Sequence, residues 1–281
     1  MTIISDSSAV NEDRILPQHQ AVLTLLQTHL SDPQVSEYQW LDIACGQGQI
    51  IKYLDSNLDE KYRSKINFTA FEGDATYLKI VKEKAKALSL LKYNEKIGEI
   101  ADFETLFPSL GNFNFITLIN VVHELPPKLL ASLLINILNR LTENGILYIF
   151  DMETLNPLEL GAIPWKKHEI IEIIKTFYIE IETPSYIPEV SQWKFKSTQG
   201  WSYTLQRRHI KISHEEILKN KQRIITNVEK QIEKQIQIKF EMTKNILTAH
   251  TETDSETSED KKHIYTSLYD FWALHKALGE K

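Results

Sequence analysis

The residues best equipped for chemistry are two glycines, three acids and a histidine, each at the end of a short apolar run. Leu41-Asp42-Ile43 leads straight into Ala44-Cys45-Gly46-Gln47-Gly48-Gln49. Glycines between a buried strand and a helix let backbone approach a ligand closely, and the helix N-terminus presents free N–H groups to it. The run Ile66 to Phe71 closes in Glu72-Gly73-Asp74. A carboxylate at that place can accept hydrogen bonds from the two ribose hydroxyls of a nucleoside lying across the carboxyl edge of a sheet. Asp102 follows a weaker third run, at a position suited to an adenine amino group, with Phe103 next to it to pack on the ring. A fourth run, Phe113 to Val122, contains Asn120 and is followed by His123-Glu124.

His123 and Glu124 bear most on mechanism. Histidine exchanges a proton near neutral pH, so at the end of a strand it can serve as a general base. The competing reading is that His123 or Glu124 caps the helix opened by Pro126-Pro127 or binds backbone. Asp151, after a fifth run, has similar standing.

The elements that must position these groups alternate. An amphipathic helix over Ile15 to Leu30 carries Val22, Leu25, Leu26 and Leu30 on one side. Strands follow at Tyr38–Ile43, Ile66–Phe71, about Lys96–Ile100, Phe113–Val122 and Ile146–Phe150. Between them helices are expected over Gln49–Asn57, Ala75 to about Leu90, and Pro126–Leu141, since proline is tolerated in a first turn. Such alternation argues for a mostly parallel sheet covered on both faces. A helix over His168–Tyr178, a strand over Ile179–Ile187 and another from Trp201 towards Ile212 then suggest an antiparallel hairpin at the sheet edge. The remainder reads as a long helix from Ser213 to about His250, a polar loop at 250–262, and a last helix, His263–Leu278. The divisions expected are an N-terminal helical segment at 1–34, a central domain at 35–212 and a helical extension at 213–281.

In order and spacing, residues 35–212 resemble a class I S-adenosylmethionine-dependent methyltransferase. The resemblance implies an α/β fold: a Rossmann-like seven-stranded, mostly parallel sheet with an antiparallel edge hairpin, here followed by a C-terminal helical extension. It implies that S-adenosylmethionine is the cofactor, that Gly46 and Gly48 approach its methionine part, and that Asp42 helps fix their loop. It further implies that Glu72 holds the ribose, Asp102 with Phe103 reads the adenine, and Asn120 lies beside the methionine end. Ala44 stands where the family has its first loop glycine. A dinucleotide-binding reading needs a third small residue where helix meets strand, and Ile51 occupies that place. No metal is expected.

Composition limits the partners. The 281 residues are 42% hydrophobic and 25% charged, with one cysteine, Cys45, so no intrachain disulfide can form and a reducing, cytoplasmic setting is expected. No apolar run approaches the ~20 residues that cross a bilayer. A net charge of −6 disfavours extended contact with nucleic acid or an anionic membrane. One edge, with Trp193, Lys194, Lys196, Trp201, Arg207, Arg208 and Lys211, could contact RNA, although aromatics there more often pack on core and charges there discourage strand pairing.

The expected activity is methyl transfer from S-adenosylmethionine to a small-molecule oxygen or nitrogen acceptor. The alternative is a methyltransferase-like binding or regulatory subunit that docks a partner protein through its C-terminal helices; an RNA methyltransferase ranks third. Ile217, Ile224, Val228, Ile232, Ile236 and Phe240 stripe the long helix, and Ile264, Leu268, Phe271 and Trp272 the last one. These stripes suggest a projecting antiparallel pair used for self-association or partner docking rather than as a lid.

Overall fold

Alternation of apolar runs and amphipathic helices produces one seven-stranded sheet covered on both faces. The computed structural model describes residues 17–155, 161–195, 198–251 and 258–279, so the expectations for residues 1–16 of the N-terminal segment, for Lys196 and for 252–257 fall outside the described residues. The strands are β1 (Tyr38–Ile43), β2 (Ile66–Glu72), β3 (Lys92–Ile97), β4 (Phe113–Ile119), β5 (Leu141–Met152), β6 (Val190–Phe195) and β7 (Thr198–Gln206). The helices are α1 (Pro17–Leu30), α2 (Gln49–Asn57), α3 (Glu60–Arg63), α4 (Ala75–Ala87), α5 (Phe103–Leu106), α6 (Pro127–Arg140), α7 (Lys167–Glu180), α8 (His214–Thr251) and α9 (Ser258–Ala277).

The strand order is β3-β2-β1-β4-β5-β7-β6. β1 pairs in parallel with both β2 and β4, while β7 runs antiparallel to β5 and β6. This is the Rossmann-like arrangement expected. Because the chain moves outward from β1 through β2 and β3, then returns to start β4 on β1's other side, the order reverses between β1 and β4. A crevice opens there at the strands' carboxyl ends, and open α/β sheets bind ligands in such crevices.

One face of the sheet is covered by α1, α2 and α4, with Trp40, Phe68, Phe115 and Tyr148 at its centre. The other is covered by α6, α7 and α8. α6 is apolar nearly all round, burying Leu130, Leu133, Leu134, Ile135, Ile137 and Leu138, and therefore needs a neighbour on more than one side. α8 supplies it with Ile217, Ile224, Ile225, Val228, Ile232 and Ile236, all buried. The expected projecting pair is corrected on this point: the first two-thirds of α8 complete the domain core. Lys239 Nζ meets the buried Glu169 carboxylate at 2.9 Å and 3.0 Å where α8 passes the start of α7. Past that point Met242 and Ile246 are exposed, and α9 folds back so that Phe271 stacks on Phe240 at 4.7 Å between ring centroids.

Several element boundaries differ from expectation; β3, for one, spans Lys92–Ile97 rather than about Lys96–Ile100. The strand expected over Ile179–Ile187 does not form: α7 runs to Glu180, Glu182 takes a left-handed φ of 57°, and Pro184 and Pro188 withhold N–H donors from any ladder. The apolar/polar alternation was the end of a helix, and the edge strand is β6, starting at Val190. The polar loop expected at 250–262 is narrower, because α8 continues to Thr251 and α9 begins at Ser258.

Candidate active site

At the end of β1 the chain turns through three left-handed residues, Ala44 (φ 52°), Gly46 (φ 53°) and Gly48 (φ 71°). Ala44 thus adopts the conformation that a glycine would take more easily, at a modest strain. The glycines serve different needs. A Cβ on Gly48 would come within 3.1 Å of Ile51 and 3.2 Å of Val81, so its bareness lets α2 seat against α4. A Cβ on Gly46 would meet nothing within 4 Å, which means that its α-carbon faces open space over the crevice.

Glu72 ends β2 and ties this loop down. Its Oε2 accepts from the Gly46 N–H at 2.8 Å, and its Oε1 accepts from the N–H groups of Gly73 at 2.9 Å and Asp74 at 3.2 Å. A carboxylate offers about four acceptor positions, so one remains for a ligand hydroxyl. Asp74 is occupied otherwise, capping α4 through the Thr76 N–H at 2.6 Å.

Asp42 sits one strand residue short of the loop and is buried. Its carboxylate accepts from the Thr117 hydroxyl of β4 at 2.5 Å and makes no hydrogen bond to the Gly46 loop, so the expected loop-fixing contact is Glu72's instead. Burial pushes the Asp42 carboxyl up to about 7; the Thr117 hydrogen bond opposes this and the Glu72 charge adds to it. A raised folded-state value means that the native protein holds this proton more tightly than the unfolded chain does. Stability therefore falls as pH rises from about 4 to about 7. Asp42→Asn removes that ionisation. The variant is expected to be more stable than the parent at pH 8 by urea denaturation, with the difference fading towards pH 4; parallel pH profiles for the two proteins refute the assignment. Cys45, beside it, is a poor nucleophile, because burial and the nearby Asp42 and Glu72 charges raise its thiol well above the ordinary value.

Asp102 is exposed at the end of a helical turn, Ile100–Asp102, and makes no side-chain cap to α5. Phe103 does not join it. Its ring is 1% exposed, packed between Phe71 and Phe107 at 6.0 Å and 4.9 Å, so the expectation that it stacks on an adenine is corrected to a core role. Asn120, just past β4, takes a left-handed φ of 56° and donates its N–H to the Phe150 carbonyl at 2.8 Å. Its side-chain Oδ1 is buried with no hydrogen-bond partner.

His123 is 5% exposed and held from two sides. Asp151, fully buried on β5, accepts the His123 backbone N–H at 2.8 Å and faces its Nδ1 at 2.5 Å. In the tautomer with the proton on Nδ1, that nitrogen donates to the Asp151 carboxylate and the lone pair is on Nε2. Glu124 Oε1 lies 3.7 Å from Nε2, too far for a hydrogen bond but near enough to favour a positive ring. Gly200 on β7 makes room for this arrangement, since a Cβ there would lie 2.7 Å from the Asp151 carbonyl oxygen.

The basic edge considered for RNA is largely spent on structure. The Arg207 guanidinium is buried and donates to the carbonyls of Ile210 and Ile212, Trp201 is in the core, and Trp193 donates to Ser202. Among the described residues no group of three or more His, Cys, Asp or Glu side chains is arranged to hold a metal ion. No helix among them is long and apolar enough to cross a membrane.

Residues 41–149 match the family model described as a methyltransferase domain. The chain is similar to that domain over this segment, which runs from β1 into β5 and carries the Gly46 loop, Glu72, Asn120 and His123. Among solved structures it is similar to the CurJ carbon methyltransferase, at 16% identity and a TM-score of 0.51, covering 72% of this chain and 56% of that one. The present chain thus spans little more than half of that neighbour's length. It is also similar to magnesium protoporphyrin IX methyltransferase from Synechocystis PCC 6803, solved with bound S-adenosylmethionine (10% identity, TM-score 0.47, 68% of this chain and 79% of that one). A third is the 1,6-didemethyltoxoflavin-N1-methyltransferase from Burkholderia thailandensis (12% identity, TM-score 0.48, 71% of this chain and 80% of that one). No curated protein sequence matches the chain at a significant level.

Proposed function

We propose that the protein transfers the methyl group of S-adenosylmethionine to an oxygen or nitrogen of a small-molecule acceptor, with His123 removing the acceptor's proton. The observation that carries this reading is the His123–Asp151 pair at the carboxyl end of β4, one strand from the Gly46 loop. The crevice fits the cofactor in three respects: open space at the Gly46 α-carbon, one acceptor position left on Glu72, and the unpartnered Oδ1 of Asn120. In this reading Gly46, Gly48 and Asn120 hold the methionine part, Glu72 the ribose and Asp102 the adenine amino group.

The bound cofactor supplies an electrophilic methyl on a sulfonium. The chain's own work is to align an acceptor in line with that carbon, exclude water and accept one proton at His123 Nε2. Asp151 holds the ring through Nδ1, and with Glu124 it favours the imidazolium formed. Calorimetry with S-adenosylmethionine and S-adenosylhomocysteine tests the reading, and failure to bind either sinks it. Glu72→Ala is expected to weaken binding of both by ~1–3 kcal/mol, because a charge-assisted hydrogen bond is lost and the Gly46 N–H loses its acceptor. Parental affinity in that variant means that the ribose lies elsewhere.

A further inference from the structure

α1 places Gln18, Val22, Leu26 and Leu30 four residues apart, hence on one face, and all four are 0% exposed. Three are apolar and fill the core under the sheet. Gln18 does not belong there by composition, and neither its Oε1 nor its Nε2 has a hydrogen-bond partner. A fully buried amide with both ends unsatisfied is a marked departure from the rule that buried polar groups are paired.

Its height on the sheet follows from helix geometry. At the lower end of α1, His29 lines one cavity with Tyr38 and Asn114, at the amino ends of β1 and β4, and with Ile146, which lies beside them in β5. Climbing the twelve residues from Leu30 to Gln18 covers ~18 Å at ~1.5 Å per residue. The same climb along β5, at ~3.3 Å per residue and less for an inclined helix, arrives at about Phe150 to Met152. Asn120 is hydrogen-bonded to Phe150, so the Gln18 amide and the unpartnered Asn120 Oδ1 stand at one level, the carboxyl edge of the sheet. A second tie agrees: Tyr53 of α2 donates to Gln20 at 2.6 Å, which fixes the first turn of α1 beside the helix that begins at the Gly48 loop.

We propose that Gln18 is a cofactor-binding residue and, with Asn120, receives the α-amino and α-carboxylate groups at the methionine end of S-adenosylmethionine. A primary amide offers two N–H donors to a carboxylate and an oxygen to an ammonium, the complement of an amino acid's charged end. The assignment rests on the cofactor reading above. It also places part of the site in α1, outside the matched segment 41–149.

The test compares S-adenosylhomocysteine with 5′-methylthioadenosine, a thioether nucleoside without the amino-acid end, on the full chain by calorimetry. Gln18→Leu is expected to weaken S-adenosylhomocysteine about ten-fold or more while 5′-methylthioadenosine stays within about two-fold. The melting temperature without ligand is expected to hold or rise, since an unpaired buried amide is replaced by an apolar side chain. Unchanged S-adenosylhomocysteine affinity, or equal weakening of both ligands, overturns the proposal. So does a large fall in melting temperature that recurs in Gln18→Met, which is closer in length, because the amide is then structural. If the parent binds neither compound, the cofactor reading itself falls and this assignment with it.

Discussion

His123→Ala is expected to lower the rate of methyl transfer by ~10²–10⁴-fold while leaving the affinity for S-adenosylmethionine near the parental value, the range found for a positioned general base. The split follows from geometry: the ring is held by Asp151 of β5, whereas Gly46 and Glu72, the groups proposed to face the cofactor, belong to β1's loop and to β2. Asp151→Asn separates this reading from simple packing. An amide at that place can donate to Nδ1, which moves the ring proton to Nε2 and leaves no lone pair facing the acceptor. Its rate is therefore expected to fall nearly as far as that of His123→Ala, and the double variant to fall no further than the worse single one. The Asp151 carboxylate also accepts the backbone N–H groups of His123 and Met152, so melting curves accompany the rates. Full activity in His123→Ala, across the pH range, would return the residue to a structural role.

How much of this was legible in the sequence depended on whether the determining contacts were local. The β1–loop–α2 unit was, because the glycines, the apolar run before them and the helix after them are consecutive, and the strand-end place of Glu72 was legible in the same way. The partnership of His123 with Asp151 was not: each was a candidate alone, and only the parallel pairing of β4 with β5 brings them together. Phe103 was misassigned for the same reason, since the residue after a strand points to crevice or core according to neighbours that lie far away in the chain, here Phe71 and Phe107. Gln18 left one faint signal, a polar residue continuing the stripe of Val22, Leu26 and Leu30. The stripe on α8 was read correctly as a face that must be covered and wrongly as one awaiting another chain. The clue to its cover lay in α6, whose apolar residues on every side call for a third helix.

That cover sets the second large effect. Deleting residues 214–281 is expected to give a chain that precipitates or stays unfolded, rather than the soluble monomer that a projecting helical pair implies. The six buried aliphatic side chains of α8 from Ile217 to Ile236 contribute on the order of 10 kcal/mol at ~1.5–3 kcal/mol each, as much as the whole net stability of a typical domain. Their removal also bares the matching faces of α6 and α7 and strands the buried Glu169 carboxylate, which loses Lys239. Deleting only residues 258–281 removes far less from the core, mainly Ala273, Leu274 and the Phe240–Phe271 stack, and is expected to yield a folded chain that still binds S-adenosylhomocysteine. Solubility, circular dichroism and light scattering on the two truncations decide the matter. A soluble 1–213 fragment that binds S-adenosylhomocysteine with parental affinity would show that α8 decorates the domain instead of completing it.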